Sequence, residues 1–154
     1  MIQNNFLALE FVRGRLTDKL TPEFVCEVHR IVTEGTLDDP GDAGRLQREG
    51  EGRVRIYGTE NEEQLLHVPP ERLERLCSFV NGEGEYATQY VPPLVRALIV
   101  HFMMGYDHYF VDGNGRTARV IAQWVMLREG FFLMDFVPVS RLLHRAPAQY
   151  ARSF

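Results

Sequence analysis

The run His108-Tyr109-Phe110-Val111-Asp112-Gly113-Asn114-Gly115-Arg116-Thr117-Ala118-Arg119 brings together an imidazole, a carboxylate, a flexible turn and two guanidinium groups. A Gly-Asn-Gly turn entering a helix leaves backbone N–H groups without carbonyl partners, and these donors together with the positive helix end attract phosphate. Arg116 and Arg119 lie three residues apart and share a face near that end, where guanidinium forks can grip successive phosphates. Asp112 offers the one carboxylate that suits a Mg2+ ion held largely by phosphate oxygens. His108, just before the turn, can accept a hydroxyl proton during attack on phosphorus. Phe110, between the two, is expected to anchor the loop in the core. Nucleotide chemistry is the first hypothesis these residue types support.

Helical patterns on both sides must position this run. Pro92-Pro93 opens a segment with Leu94, Ala97, Leu98, Val100, His101, Phe102 and Met104 that is apolar on most sides, which predicts a central helix delivering the chain to His108. After Gly115 a helix through Val120, Ile121, Trp124, Val125 and Leu127 ends at Gly130, so catalytic loop and helix occupy 108–129. Upstream, Phe6, Leu7, Leu9, Phe11 and Val12 suggest a helix ending around Gly14. Thr21-Pro22-Glu23 caps a second, with Phe24, Val25, Val28, Ile31 and Val32 at helical spacing to about Gly35. Thr36 to Gly52 reads as a loop, long enough to suggest a function. Val54-Arg55-Ile56-Tyr57 and Leu65-Leu66-His67-Val68 are β-prone pieces around a polar turn and predict a hairpin over about 54–68. Pro69-Pro70-Glu71 starts a helix carrying Leu73, Leu76, Phe79 and Val80 to Asn81-Gly82, and Pro138-Val139-Ser140 begins a last one. The expected fold is all-α with a small β-hairpin, one domain over 1–154.

Composition sets bounds on the chemistry. A chain of 154 residues buries a real core, and Lys+Arg 17 against Asp+Glu 21 leaves a net charge of -4, which gives no support for a nucleic-acid partner. Cys26 and Cys77 lack a metal-type spacing and read as small buried hydrophobes of a reducing compartment. Arg96 and His101 interrupt the longest apolar run, and the first residues lack a basic start before an apolar core. Neither a membrane span nor a signal peptide is expected, and the location expected is cytoplasmic. His29, His101 and His144 have no metal-type partners and read as structural, while His67 ahead of Pro69-Pro70 is placed to brace the hairpin.

The residues His108, Phe110, Asp112, Gly113, Asn114, Gly115, Arg116 and Arg119 resemble the signature of Fic-domain proteins at every defining position. Leu20-Thr21-Pro22-Glu23 with His29-Arg30, Ala43-Gly44-Arg45, His67-Val68-Pro69-Pro70 and Ala97 to Phe102 look like further landmarks of that family. Tyr109 departs from the proline usual after the histidine, which removes no chemical group. The resemblance implies transfer of AMP from ATP to a hydroxyl side chain (Tyr, Ser or Thr) of a target protein. By that carry-over His108 is the general base, Asp112 the Mg2+ ligand and Gly113 to Gly115 the phosphate cradle. Asn114 contacts the α-phosphate, Arg116 the β-phosphate and Arg119 the γ-phosphate. The related Doc-type kinases carry a lysine in the anion turn, and Gly115 argues against that route. The hairpin, with Val54, Ile56, Tyr57, Leu66 and His67, occupies the place of the family's target-positioning flap, a plain structural hairpin being the other reading. Tyr150 resembles a tyrosine near the nucleotide base, with core packing the alternative.

Many Fic proteins also carry an inhibitory helix with Ser or Thr, three residues, Glu, then Gly or Asn, whose glutamate pairs with the second motif arginine. The nearest match, Thr59 to Glu63 followed by Gln64, falls at the predicted hairpin tip. Met1 to Phe6 resembles a segment that follows the inhibitory element, which implies a core shortened at its N-terminus or inhibited by a separate protein. Such a form is expected to be more active than a complete chain. Two alternatives stay open: a Fic enzyme using UTP, GTP or CDP-choline as donor, and a non-catalytic module that binds nucleotide and recruits a partner.

Overall fold

The computed structural model describes residues 2–48, 56–57, 63–64, 70–137, 141 and 145. Among the described residues five α-helices order the chain: α1 (Ile2–Arg13), α2 (Pro22–Thr33), α3 (Pro70–Asn81), α4 (Pro93–Asp107) and α5 (Asn114–Arg128). Their ends follow the chemistry of the sequence. Thr21 is extended and its hydroxyl accepts the Phe24 N–H at 3.2 Å, with Pro22 in the first turn of α2. All five helices contribute to one buried cluster. Short 3-10 turns at Pro40–Asp42, Gly84–Tyr86 and Phe132–Phe136 were not expected from the periodicity.

The central helix is α5, where the sequence predicts α4. α5 packs on α1, α2 and α4 and buries Val120, Ile121, Trp124, Val125, Met126 and Leu127. Trp124 is fully buried, lies 5.1 Å from the Phe24 ring, and its indole N–H donates to the Arg15 carbonyl at 3.0 Å. Removing such an aromatic costs about 3–5 kcal/mol. α4, by contrast, buries Ala97, Val100, Met104 and Asp107 and leaves Leu94, Leu98, Phe102 and Tyr106 exposed. Hydropathy counts apolar residues, whereas burial depends on which helices surround them. In α5 the polar positions mislead, because Gln123 is itself buried and bonded to the Met134 carbonyl at 3.0 Å.

Two short strands, β1 (Ile56–Tyr57) and β2 (Glu63–Gln64), pair antiparallel with Ile56 opposite Gln64 and Tyr57 opposite Glu63. The second strand thus begins earlier than the β-prone Leu65-Leu66-His67-Val68 suggested. Val54, Leu66 and His67 lie outside the described residues, as do His144, Tyr150 and most of the last predicted helix. Among the described residues no helix is long and apolar enough to cross a membrane. Cys26 and Cys77 are free thiols, and burial pushes them up to about 11 and about 12.

Candidate active site

α4 ends at Asp107 and α5 begins at Asn114, so residues 108–113 connect two helices that pack along each other. His108 makes the turn. It caps α4 in the left-handed conformation, φ 49° and ψ 61°, and is the non-glycine residue with positive φ among the described residues. A residue with a Cβ holds that conformation at a cost of about 1–2 kcal/mol, so its surroundings must impose it. Its neighbours Asp107 and Tyr109 are both buried, and the Tyr109 hydroxyl donates to Asp107 Oδ2 at 2.6 Å. Arg72 of α3 brings Nη2 within 2.5 Å of Asp107 Oδ1, a contact of charge and distance rather than good hydrogen-bond alignment. Burial and the adjacent carboxylate raise the Tyr109 phenol, which therefore stays a donor. The His108 Nδ1 is buried without a hydrogen-bond partner among the described residues, which leaves Nε2 as the ring nitrogen within reach of a substrate.

The far end of the connection is braced from other elements. Phe110 is fully buried, its N–H donates to Asn114 Oδ1 at 2.9 Å, and Asn114 Nδ2 donates to its carbonyl at 2.7 Å. His29 of α2 stacks on the Phe110 ring, centroids 3.7 Å apart and planes 4° from parallel. Its Nδ1 accepts the Gly44 N–H at 2.9 Å, so Nε2 carries the proton and donates to the Asp112 carbonyl at 2.8 Å. Burial lowers the His29 pKa, opposed in part by that bond to Asp112. The Gln47 N–H donates to the Tyr109 carbonyl at 2.9 Å, so the long loop after α2 props the catalytic connection.

Gly113 caps α5 with φ 83°, and a Cβ there would meet Thr33 Cγ2 at 2.5 Å and His29 Nε2 at 3.1 Å. Only glycine fits between α5 and α2. The Thr117 N–H and hydroxyl both reach the Gly113 carbonyl at 3.0 Å, while the N–H groups of Asn114, Gly115 and Arg116 are first-turn donors with no carbonyl a turn earlier. Arg116 donates to the Val32 carbonyl at 3.2 Å, to Thr36 Oγ1 at 2.7 Å and to Asp112 Oδ2 at 3.1 Å. A Cβ on Gly115 would lie 3.4 Å from Arg119 Nη1, so that guanidinium lies against the same turn. Backbone donors and both cations thus converge at the start of α5. The Asn114 side chain is buried on the Phe110 backbone, which leaves its main-chain N–H at the start of α5.

Among the described residues no three His, Cys, Asp or Glu side chains converge as a metal cluster. Asp112 stands alone at the turn, its side chain 68% exposed, which suits a cation that takes most of its ligands from phosphate and water. A cavity of about 390 Å3 lies between α3 and α4, lined in part by Arg72, Arg75, Phe79, Tyr86 and Asp107.

The model of the Fic/DOC family matches residues 19–126, which takes in α2 through most of α5 and the whole connection between α4 and α5. The chain belongs to the Fic/DOC family. Protein adenylyltransferase fic-1 of Caenorhabditis briggsae is 32% identical over 129 residues, covering 80% of this chain and 23% of the relative. Protein adenylyltransferase Fic of Nematostella vectensis is 30% identical over 130 residues, covering 80% and 27%. The chain therefore spans about a quarter of the length of these curated relatives. Among solved structures, Fic-1 from C. elegans superposes with a TM-score of 0.62 at 29% identity, covering 82% of this chain and 36% of that one. A Fic family protein from Desulfovibrio desulfuricans reaches 0.71 over 98% of this chain and 43% of its own; at 23% identity it bears on the fold alone.

Within this Fic/DOC chain the structure places Asp112, Gly113, Gly115, Arg116 and Arg119 at the start of α5 and His108 at the end of α4, joined by the short connection, while Ile56 and Tyr57 lie in β1. Sequence reasoning missed Arg72, Asp107, Thr33, Thr36 and the Gly44 N–H as supports. One signal was visible: Asp107 is the acidic residue of α4, directly before the histidine.

Proposed function

We propose that this Fic/DOC domain is a protein adenylyltransferase, transferring AMP from ATP to a hydroxyl side chain of a target protein. The observation that carries it is the shared location of a half-buried histidine, a phosphate-cradling helix start and two guanidinium groups. His108 Nε2 takes the proton of the target Tyr, Ser or Thr as its oxygen attacks the α-phosphorus. The bond from that phosphorus to the bridging oxygen breaks, and pyrophosphate leaves with the electron pair. The N–H groups of Asn114, Gly115 and Arg116 hold the phosphate chain, with Arg116 on the β- and Arg119 on the γ-phosphate. Asp112 is the residue that would hold Mg2+, which would supply positive charge beside the leaving phosphates; its carboxylate lies 3.1 Å from Arg116 Nη2.

β1 and β2 serve as the flap that aligns an extended target segment, a role supported by their antiparallel pairing and by main-chain recognition needing little target sequence. The two free thiols favour a reducing, cytoplasmic setting. His108→Ala is expected to abolish transfer of label from α-labelled ATP to protein while ATP binding persists. Undiminished transfer by that variant refutes the reading.

A further inference from the structure

Two contacts tie together the residues on either side of His108 without touching the phosphate cradle. The Tyr109 hydroxyl reaches back across the histidine to Asp107 Oδ2 at 2.6 Å, and Arg72 of α3 neutralises the same carboxylate from the other side at 2.5 Å. The Asp107 side chain is 1% exposed and Tyr109 5% exposed, so water does not compete for the bond between them. The residue between them carries a left-handed backbone that its own side chain disfavours. The cradle is held by a different set: His29 on Phe110, Asn114 on the Phe110 backbone, and Arg116 on the end of α2. Tyr109 joins the two sets through its carbonyl, which accepts from Gln47, but its hydroxyl belongs only to the first.

We propose that Asp107 and Tyr109, tied to α3 by Arg72, form a clasp that sets the position of the His108 imidazole independently of nucleotide binding. All three are positioning residues. The Tyr109 that replaces the family's usual proline fixes the histidine through its hydroxyl and a buried acid, where a proline ring would restrict the backbone directly. α3 follows β2 in the chain, so the clasp also fastens the base to the helix after the strand pair. The idea rests on His108 being the base in the proposed reaction.

Tyr109→Phe removes one oxygen, and Asp107→Asn keeps the shape while discharging the clasp. Each is expected to lower kcat about tenfold or more, because small displacements of a reacting group are costly in rate. KM and Kd for ATP should stay within about twofold, since the cradle's bonds are untouched. The double variant should lose little more than either single one, as members of one unit do. Arg75→Gln, beside the same cavity but paired with Glu85, should leave kcat unchanged. The second readout is NMR of the His108 ring, whose resonances should move in both single variants while the ATP-induced shifts of the Gly113 and Gly115 amides do not.

Full kcat in Tyr109→Phe overturns the clasp, and so do a rise in ATP Kd matching the kcat loss or an unmoved His108 ring. A wild-type chain that transfers no label overturns the proposed reaction, and the ring resonances then decide the clasp by themselves.

Discussion

The two ends of the connection between α4 and α5 do different work and are built from different parts. At the histidine end, the Asp107 to Tyr109 bond is local and its outside support comes from α3 through Arg72. At the glycine end, α2 and the loop after it supply His29, Thr33, Thr36 and the Gly44 N–H, and the fit is tight enough to exclude a single methyl group. In the proposed reaction the histidine end positions the atom that moves a proton, and the glycine end presents fixed donors to the charge that arrives with the substrate. Separate supports let one end be disturbed while the other keeps its geometry.

The largest effect is expected where α2 and α5 touch. Gly113→Ala forces a Cβ to within 2.5 Å of Thr33 in a backbone that disfavours it, and is expected to cost about 3 kcal/mol or more and to abolish ATP binding. Thermal unfolding and calorimetric titration measure both. Retained ATP affinity would erase the distinction between the two ends.

Next is His29, whose loss strands the Gly44 N–H and the Asp112 carbonyl and opens space beside Phe110. His29→Ala should cost about 2–4 kcal/mol and weaken ATP binding together with stability. The pH dependence sharpens this. Burial lowers the folded-state pKa of His29 below the ordinary 6.5, so below that pH the unfolded chain takes up a proton that the folded chain resists. Its stabilising contribution is complete above about 6.5 and is lost as the pH falls from there through the lowered folded-state pKa. His101, lowered by burial and by Arg119, adds a slope of the same sign. Unfolding curves of wild type and His29→Gln should therefore converge on acidification, and curves that stay parallel contradict the assignment of His29 as a neutral brace.

The smallest effect is expected far from both ends. Gly130 also has positive φ, 88°, but nothing lies within 4 Å of a Cβ placed there. Gly130→Ala should cost about 1 kcal/mol in stability and nothing in ATP affinity or transfer.

How much of this was legible in the sequence depends on whether the information is local. The capping of α2 by Thr21, the stop of α3 at Asn81-Gly82 and the grouping of His108 to Arg119 are written in consecutive residues and were readable. The partners of His29, read only as a structural histidine, were not, because they are a backbone N–H of the loop after α2 and a backbone carbonyl and a ring of the connection before α5. The two bonds of the Asn114 amide to the Phe110 backbone were not legible either, since they depend on how the connection folds back on the start of α5. The exchange of centrality between α4 and α5 has the same origin, since neighbours, not hydropathy, decide burial.

The central claim is transfer of AMP through His108, and paired labelling tests it most directly. The chain is incubated with lysate proteins and ATP labelled at either the α- or the γ-phosphate, beside His108→Ala. The account predicts α-label on protein hydroxyls, no γ-label, and neither with the variant. Label retained from the γ-phosphate, or α-label undiminished in His108→Ala, would contradict it.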